Sequence, residues 1–412
     1  MIKDLRDRDG FAKNVAFVFL GTSVVNFFNL LYQLYVAHRL TPQDFAAFNS
    51  LISIYILLSS PLMTLQTAVG KYGAQFRACG GISKVTVLLN GLLKRSLGFA
   101  LATFLLFFLI SGLIFQRLKI PSSASGLILA AIIASSWLTP ILWGGLQGQE
   151  LFLWLTLVLL VTALLKLIFS VVFIHLGMNF SGALLALLLA SCVGIALSLL
   201  GLRRFLRKPP GKEDVNFREI FIYGLPVAVA FFLFMNLVNM DMILVKYFFT
   251  PKASGFYSLA QMIGKVFLYL PLAISMVLLP RASALHAQRL DTAAILKRSL
   301  LYASLLCVLA LLLFNLFPTF TLKALTGKAF AESVFLGRLF GLSMTFFTLL
   351  YLLITYFLAI KDLRFIKYLV IGSLAQFFGI VFFHQNLVQV QAVLCVNAMF
   401  LFGIHLALVF KK

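Results

Sequence analysis

Solid apolar runs of about twenty residues recur along this 412-residue chain, and no other feature restricts its folding as much. A helix of about 20 mostly apolar residues crosses the hydrocarbon layer of a bilayer. Inside that layer every backbone N–H and C=O must find a partner within the protein, which leaves helices and closed barrels. A barrel strand alternates polar and apolar residues; these runs do not alternate, so spanning helices are predicted. Composition agrees, with 62% hydrophobic and 11% charged residues, against about 45–50% and about 25% in soluble domains.

Twelve runs are predicted to span: 14–37, 45–69, 96–115, 124–146, 151–174 and 180–202, then 220–248, 254–279, 299–320, 334–358, 365–383 and 389–410. The first is longer than a signal-peptide core of roughly 7–15 residues and reads as a permanent span. The formal charge of +22 would suggest nucleic acid if it formed patches on a soluble surface. It lies between the apolar runs instead, so no nucleic-acid partner is expected. Lys and Arg favour the cytoplasmic side of inserted helices. With the N-terminus inside, 24 of the 34 fall on inner segments, 8 on outer ones, and Lys166 and Lys265 within spans. That bias predicts a multi-pass protein of a bacterial-type inner (plasma) membrane with both termini cytoplasmic. Cys79, Cys192, Cys307 and Cys395 have no metal-ligand spacing, so they read as small apolar fillers and no metal is expected.

The stretch RRFLRKPPGKEDVNFRE, Arg203–Glu219, is the longest polar interruption and holds a Pro-Pro-Gly. It divides the chain into a six-helix lobe over 1–202, a cytoplasmic linker over 203–219 and a second six-helix lobe over 220–412. The halves echo each other. LTPQDFAAFNSL, Leu40–Leu51, resembles FTPKASGFYSLA, Phe249–Ala260, at offsets of 209 and 208. Asn26 and Asn29 are matched by Asn236 and Asn239, Pro61 by Pro271 and Lys71 by Arg281, all at 210. Shared features near one offset imply an internal duplication. Because six is even, both copies enter the membrane in the same direction, and a pseudo-two-fold axis along the membrane normal should relate them.

Repeat-built transporters bind cargo near mid-membrane between their halves. Asn26, Asn29 and Gln33 fall on one helical face, and Asn236 and Asn239 form the matching stripe; these amides either line a cavity or join helices. Charges within spans are costly, roughly 2.5–3.5 kcal/mol at a helix centre. Lys166, Asp241 and Lys265 are such charges. Asp241 and Lys265 lie at comparable depths on neighbouring spans, so either they pair, or Lys265 holds an anion while Asp241 orients it or exchanges a proton. Lys166 snorkels or faces the cavity. Lys71 and Arg281 are anchors or cationic posts at an inner mouth, where a phosphate would first be met. Pro61 and Pro271 are hinge candidates.

YQLYVAHRLTPQDFAAFNSLISI resembles the first-loop signature of the polysaccharide and O-antigen flippases, in which a basic-Leu-Gly/Thr-Pro-x-acidic-aromatic stretch joins two helices. GLQGQE, Gly145–Glu150, and NMDMILVKYFFTPKASGFYSLAQMI, Asn239–Ile263, resemble the fourth-helix end and the seventh-to-eighth-helix region of that family. Thr41 stands where the family often has Gly, and Glu150 where basic residues are frequent. The resemblance implies the multidrug/oligosaccharidyl-lipid/polysaccharide (MOP) exporter superfamily, an all-α, MATE-like fold of two six-helix lobes around a central cavity.

The resulting expectation is a flippase that moves a polyprenyl-diphosphate-linked oligosaccharide, such as an O-antigen repeat unit of lipopolysaccharide, from the inner to the outer leaflet by alternating access. Lys166 and Lys265 would meet phosphate, and Asn26, Asn29, Gln33, Asn236 and Asn239 would meet sugar hydroxyls. No cofactor and no catalytic residue is expected. A proton gradient, a sodium gradient or the membrane potential would drive the cycle. Partners would be the lipid-linked substrate, the bilayer, and a polysaccharide polymerase or glycosyltransferase. The alternative is a cation-coupled multidrug antiporter, for which Asp241 is the sole credible carboxylate. A membrane-embedded glycosyltransferase would need catalytic carboxylates or large loops, and the outer loops are short.

Overall fold

The computed structural model describes residues 2–79, 81–121, 124–207, 217–269 and 272–410, with side chains described from residue 20 onward except at 219–223 and 272–273. All the regular structure described there is helical: α1 (Ile2–Arg39), α2 (Pro42–Ser59), a 3₁₀ turn (Ser60–Leu62), α3 (Met63–Ala78), α4 (Ile82–Arg117), α5 (Ala124–Ser135), α6 (Thr139–Gly148), α7 (Phe152–His175) and α8 (Asn179–Leu206) in the first half. The second half holds α9 (Phe217–Phe248), α10 (Pro251–Tyr269), α11 (Leu272–Ala287), α12 (Ala293–Leu316), α13 (Pro318–Thr326), α14 (Ala331–Ala359), α15 (Ile366–Phe382) and α16 (Leu387–Phe410). Ten segments of the described residues are long and apolar enough to cross a membrane, and α15 is a shorter apolar helix. With α1, these match the twelve expected runs. The protein is an all-α, multi-pass membrane protein.

Three runs are built from two helices each. The second breaks at the 3₁₀ turn that contains Pro61. The fourth, expected to be continuous over 124–146, breaks between Ser135 and Thr139, just before Pro140 in the first turn of α6. Proline has no N–H to give the helix and disfavours α geometry in the residue before it. The eighth consists of α10 and α11; Pro271 lies outside the described residues. Limits also move: α4 starts at Ile82 rather than 96, because Val85, Leu88, Leu89 and Leu92 supply a buried face at helical spacing. Basic Lys84, Lys94 and Arg95 therefore ride on a helix rather than a loop.

Contacts divide the chain differently from the division expected from its sequence. One compact unit comprises 1–36 and 58–228, the other 37–57 and 229–412. Segment 37–57, expected with the first lobe, packs in the second unit, where Ala46 joins the core of α9, α10, α14 and α16. The start of α9 packs in the first unit instead: the Phe217 ring lies under the Arg95 guanidinium at 3.8 Å, against Gly91, where a Cβ would come within 2.5 Å of it. The first unit has its own inner core, in which Val69, Leu88, Ile141, Leu146 and Leu202 meet.

The repeated phrase is a helix start. Thr41 and Thr250 precede Pro42 and Pro251, the first residues of α2 and α10. Each threonine Oγ1 accepts a backbone N–H three residues on, from Asp44 at 3.2 Å and from Ala253 at 3.3 Å. Threonine as N-cap with proline at the first helical position is a strong start signal. The two copies also touch. Asn49 Nδ2 donates to Ser258 Oγ at 2.7 Å, from one copy of the phrase to the other. Gly255 lies so near Pro42 that a Cβ would be 2.9 Å from its carbonyl carbon. At the end of α1, Lys328 Nζ donates to the carbonyls of Ala37, His38 and Leu40 at 3.1, 2.9 and 2.7 Å, partnering oxygens that a helix C-terminus leaves open. Gly327 makes the turn beside it with φ of +72°, and a Cβ there would meet the His38 ring.

Candidate functional site

In the second unit, α9, α10 and α2 bring their polar residues together. Asp241, on α9, is completely buried. Its Oδ2 accepts from Tyr257 Oη at 2.8 Å, and Gln261 Nε2 reaches its two oxygens at 3.4 and 3.5 Å. Lys265, one turn beyond Gln261 on α10, donates to Asn49 Oδ1 at 3.3 Å. Of the two arrangements left open for Asp241 and Lys265, direct hydrogen-bonded pairing is therefore not the one found: Tyr257 and Gln261 hold the carboxylate, and the amide of Asn49 holds the amine. Asn49 is itself oriented, since its nitrogen donates to Ser258.

Lys265, Gln261 and Asn239 line one small cavity with Met235, Tyr269 and Met344. Its volume, about 30 Å³, exceeds the roughly 10–15 Å³ needed for one water and is far below what a sugar needs. Asn239 is buried, and its amide nitrogen donates back to Met235 O at 3.0 Å. Asn236 is half-buried and does not line this cavity. The pairing of α9 and α10 residues follows from helix spacing: Tyr257, Gln261 and Lys265 recur every four residues and share a face.

The first unit holds a simpler cluster. Lys166, on α7, donates to Asn29 Oδ1 on α1 at 2.5 Å, and its ammonium lies 4.6 Å from the centre of the Tyr32 ring. Ring and amide share the positive charge, each in its own way: the π-face attracts a cation, and the carbonyl accepts its N–H. Tyr32 is buried and gives its hydroxyl to Ala183 O at 3.0 Å. Gln33 is half-buried and Asn26 exposed, so the expected stripe is only partly engaged by α7.

Other candidate positions lie at the surface. Lys71 and Arg281 are both exposed, and the Lys71 ammonium is 5.4 Å from the Tyr72 ring centre. Glu150, the acidic departure in GLQGQE, pairs with Arg77 at 3.2 Å, and Arg77 also donates to Gln149 O. The glycines of that motif are packing residues: a Cβ on Gly148 would be 2.8 Å from Gly70 O, and one on Gly145 would be 2.9 Å from Leu89. Sequence reasoning missed Asn49, Tyr257 and Gln261. The signal for Asn49 was its place within the repeated phrase; for the others it was their four-residue spacing ahead of Lys265.

Three solved structures share this architecture. An inward-facing MATE-family multidrug resistance transporter of the MOP superfamily is 14% identical with a TM-score of 0.73, covering 94% of this chain and 97% of that one. The lipid II flippase MurJ, inward closed, is 14% identical with a TM-score of 0.70, over 96% and 88%. An outward-facing MATE-family transporter is 16% identical with a TM-score of 0.61, over 95% and 94%. No curated protein matches by sequence. The family model described as "Polysaccharide biosynthesis protein" matches residues 11–286.

Proposed function

Given that this chain belongs to the polysaccharide biosynthesis protein family, we propose that it is a flippase for a polyprenyl-diphosphate-linked oligosaccharide, moved from the inner to the outer leaflet by alternating access. One observation carries the reading: each compact unit holds a lysine inside its spans, hydrogen-bonded to an asparagine oxygen, Lys166 to Asn29 and Lys265 to Asn49. An ammonium held by a neutral amide keeps its net charge for a visiting anion, whereas one held by a carboxylate would be cancelled. A diphosphate supplies that anion. Asn26, Gln33, Asn236 and Asn239 would serve sugar hydroxyls, and Lys71 and Arg281 would meet phosphate at the inner mouth. No bond is made or broken in this reading. Asp241 is the candidate for ion coupling to a proton or sodium gradient or to the membrane potential. In a multidrug antiporter of similar fold, Asp241 would instead have to meet an organic cation; its oxygens are already engaged by Tyr257 and Gln261, which favours the flippase.

The test is reconstitution in vesicles with a labelled lipid-linked oligosaccharide and a leaflet-accessibility readout. The wild type should expose label in the far leaflet, and Lys265→Ala and Lys166→Ala should each slow this at least about tenfold, the scale of a lost charge-assisted hydrogen bond. Unchanged transport in both variants, or proton-linked uptake of organic cations without lipid movement, overturns the proposal.

A further inference from the structure

Where α12 ends and α14 begins, the second unit has a cavity of about 440 Å³ lined by Pro318 and Thr319 of α13 and by Phe330, Ala331, Phe335 and Arg338 at the start of α14. That volume lies within the roughly 300–1,000 Å³ typical of small-ligand sites. Arg338 sits seven residues into α14, about 10 Å along its axis, is exposed, and makes no ion pair among the described residues. The lining residue Phe335 is 50% exposed, and Phe317 and Phe320, which flank the lining residues Pro318 and Thr319 in sequence, are 59% and 75% exposed. On a multi-pass membrane protein, a surface of that kind faces lipid.

An arginine at such a place has two outlets, snorkelling to water or an anion at headgroup depth. The cavity beside it favours the second. A guanidinium fork matches the oxygens of a phosphate, and phenylalanine rings suit the neighbouring glycerol and acyl carbons. Neither α13 nor α14 has a side-chain cap at its first turn. Glu332 is exposed and is not part of the lining.

We propose that this cavity is a binding site for the phosphate of a resident anionic glycerophospholipid, anchored by Arg338 with Phe330 and Phe335 against its carbon chain. The site does not depend on the flippase reading. It is tested by native mass spectrometry of the full chain in detergent, titrated separately with phosphatidylglycerol, phosphatidylcholine, polyprenyl phosphate and inorganic phosphate. Wild type should retain phosphatidylglycerol at least about fivefold over phosphatidylcholine. Arg338→Ala should lose that preference and Arg338→Lys keep part of it, while Arg117→Ala, which removes another exposed cation, leaves it intact. Melting curves of all variants should superimpose, as expected for exposed positions. Equal retention by wild type and Arg338→Ala overturns the site, as does an equal loss in Arg117→Ala, which would mean general charge attraction. Retention of polyprenyl phosphate alone would assign the cavity to the carrier lipid and overturn the resident-lipid proposal, and retention of inorganic phosphate alone would do the same.

Discussion

At the scale of single residues, the second unit gives its buried carboxylate and its buried amine separate partners. Tyr257 and Gln261 satisfy the buried Asp241 carboxylate, while Asn49 orients Lys265. A buried acceptor that loses its donor costs about 1–3 kcal/mol. Tyr257→Phe should therefore lower the melting temperature, and in an Asp241→Asn background the same change should cost clearly less. Additive effects in that double-mutant cycle would show that the hydroxyl and the carboxylate do not interact. Asn49→Leu strips Lys265 of its acceptor and Ser258 of its donor; it should slow transport in the vesicle assay with Lys265 still present. Sequence made the lysines and aspartate visible because charge within an apolar run is rare. It could not assign their partners, since Asn49 is 216 residues from Lys265 and no local pattern joins them.

Among elements, glycine placement decides how closely helices approach. α3 and α6 meet at backbone distance around Gly70, Gly144 and Gly148, and a Cβ on Gly144 would lie 2.5 Å from Gln66 O. Gly98, on α4, has nothing within 4 Å of such a Cβ. Gly148→Val should destabilise by about 1–3 kcal/mol through overpacking. Gly98→Ala should stabilise by about 0.5–1 kcal/mol, because the helix interior gains a better former at no steric cost. Both are read as melting shifts in detergent, and shifts of the same sign would contradict the packing described. The twelve runs and their polar breaks were legible because membrane crossing is a property of local length and apolarity. The break before Pro140 was also available, from the proline itself. The helical extension of α4 to Ile82 was not, because apolar continuity stops at Lys94 and Arg95 while the helix does not.

For the whole molecule, the basic excess on one set of loops predicts which side each end faces. Cys79, exposed at the end of α3, falls on a segment expected to be cytoplasmic. A membrane-impermeant maleimide should label it only after permeabilisation, with Cys79→Ser as the blank. Labelling in intact cells would reverse the expected topology.

Sequence alone determined that this chain crosses a membrane repeatedly as helices, and it pointed to an internal duplication. These follow from hydrophobicity and from shared residue spacing, both of which are written along the chain; that Thr-Pro opens a helix in each copy came from the structure. Only the tertiary structure decided that residues 37–57 pack with the second half, that Asn49 of one copy of the phrase meets Ser258 of the other, and that Lys265 bonds an amide rather than Asp241. Such contacts join residues about 200 positions apart. What selects them is which surfaces can approach once the helices exist, and small residues such as Gly255 against Pro42 set that approach.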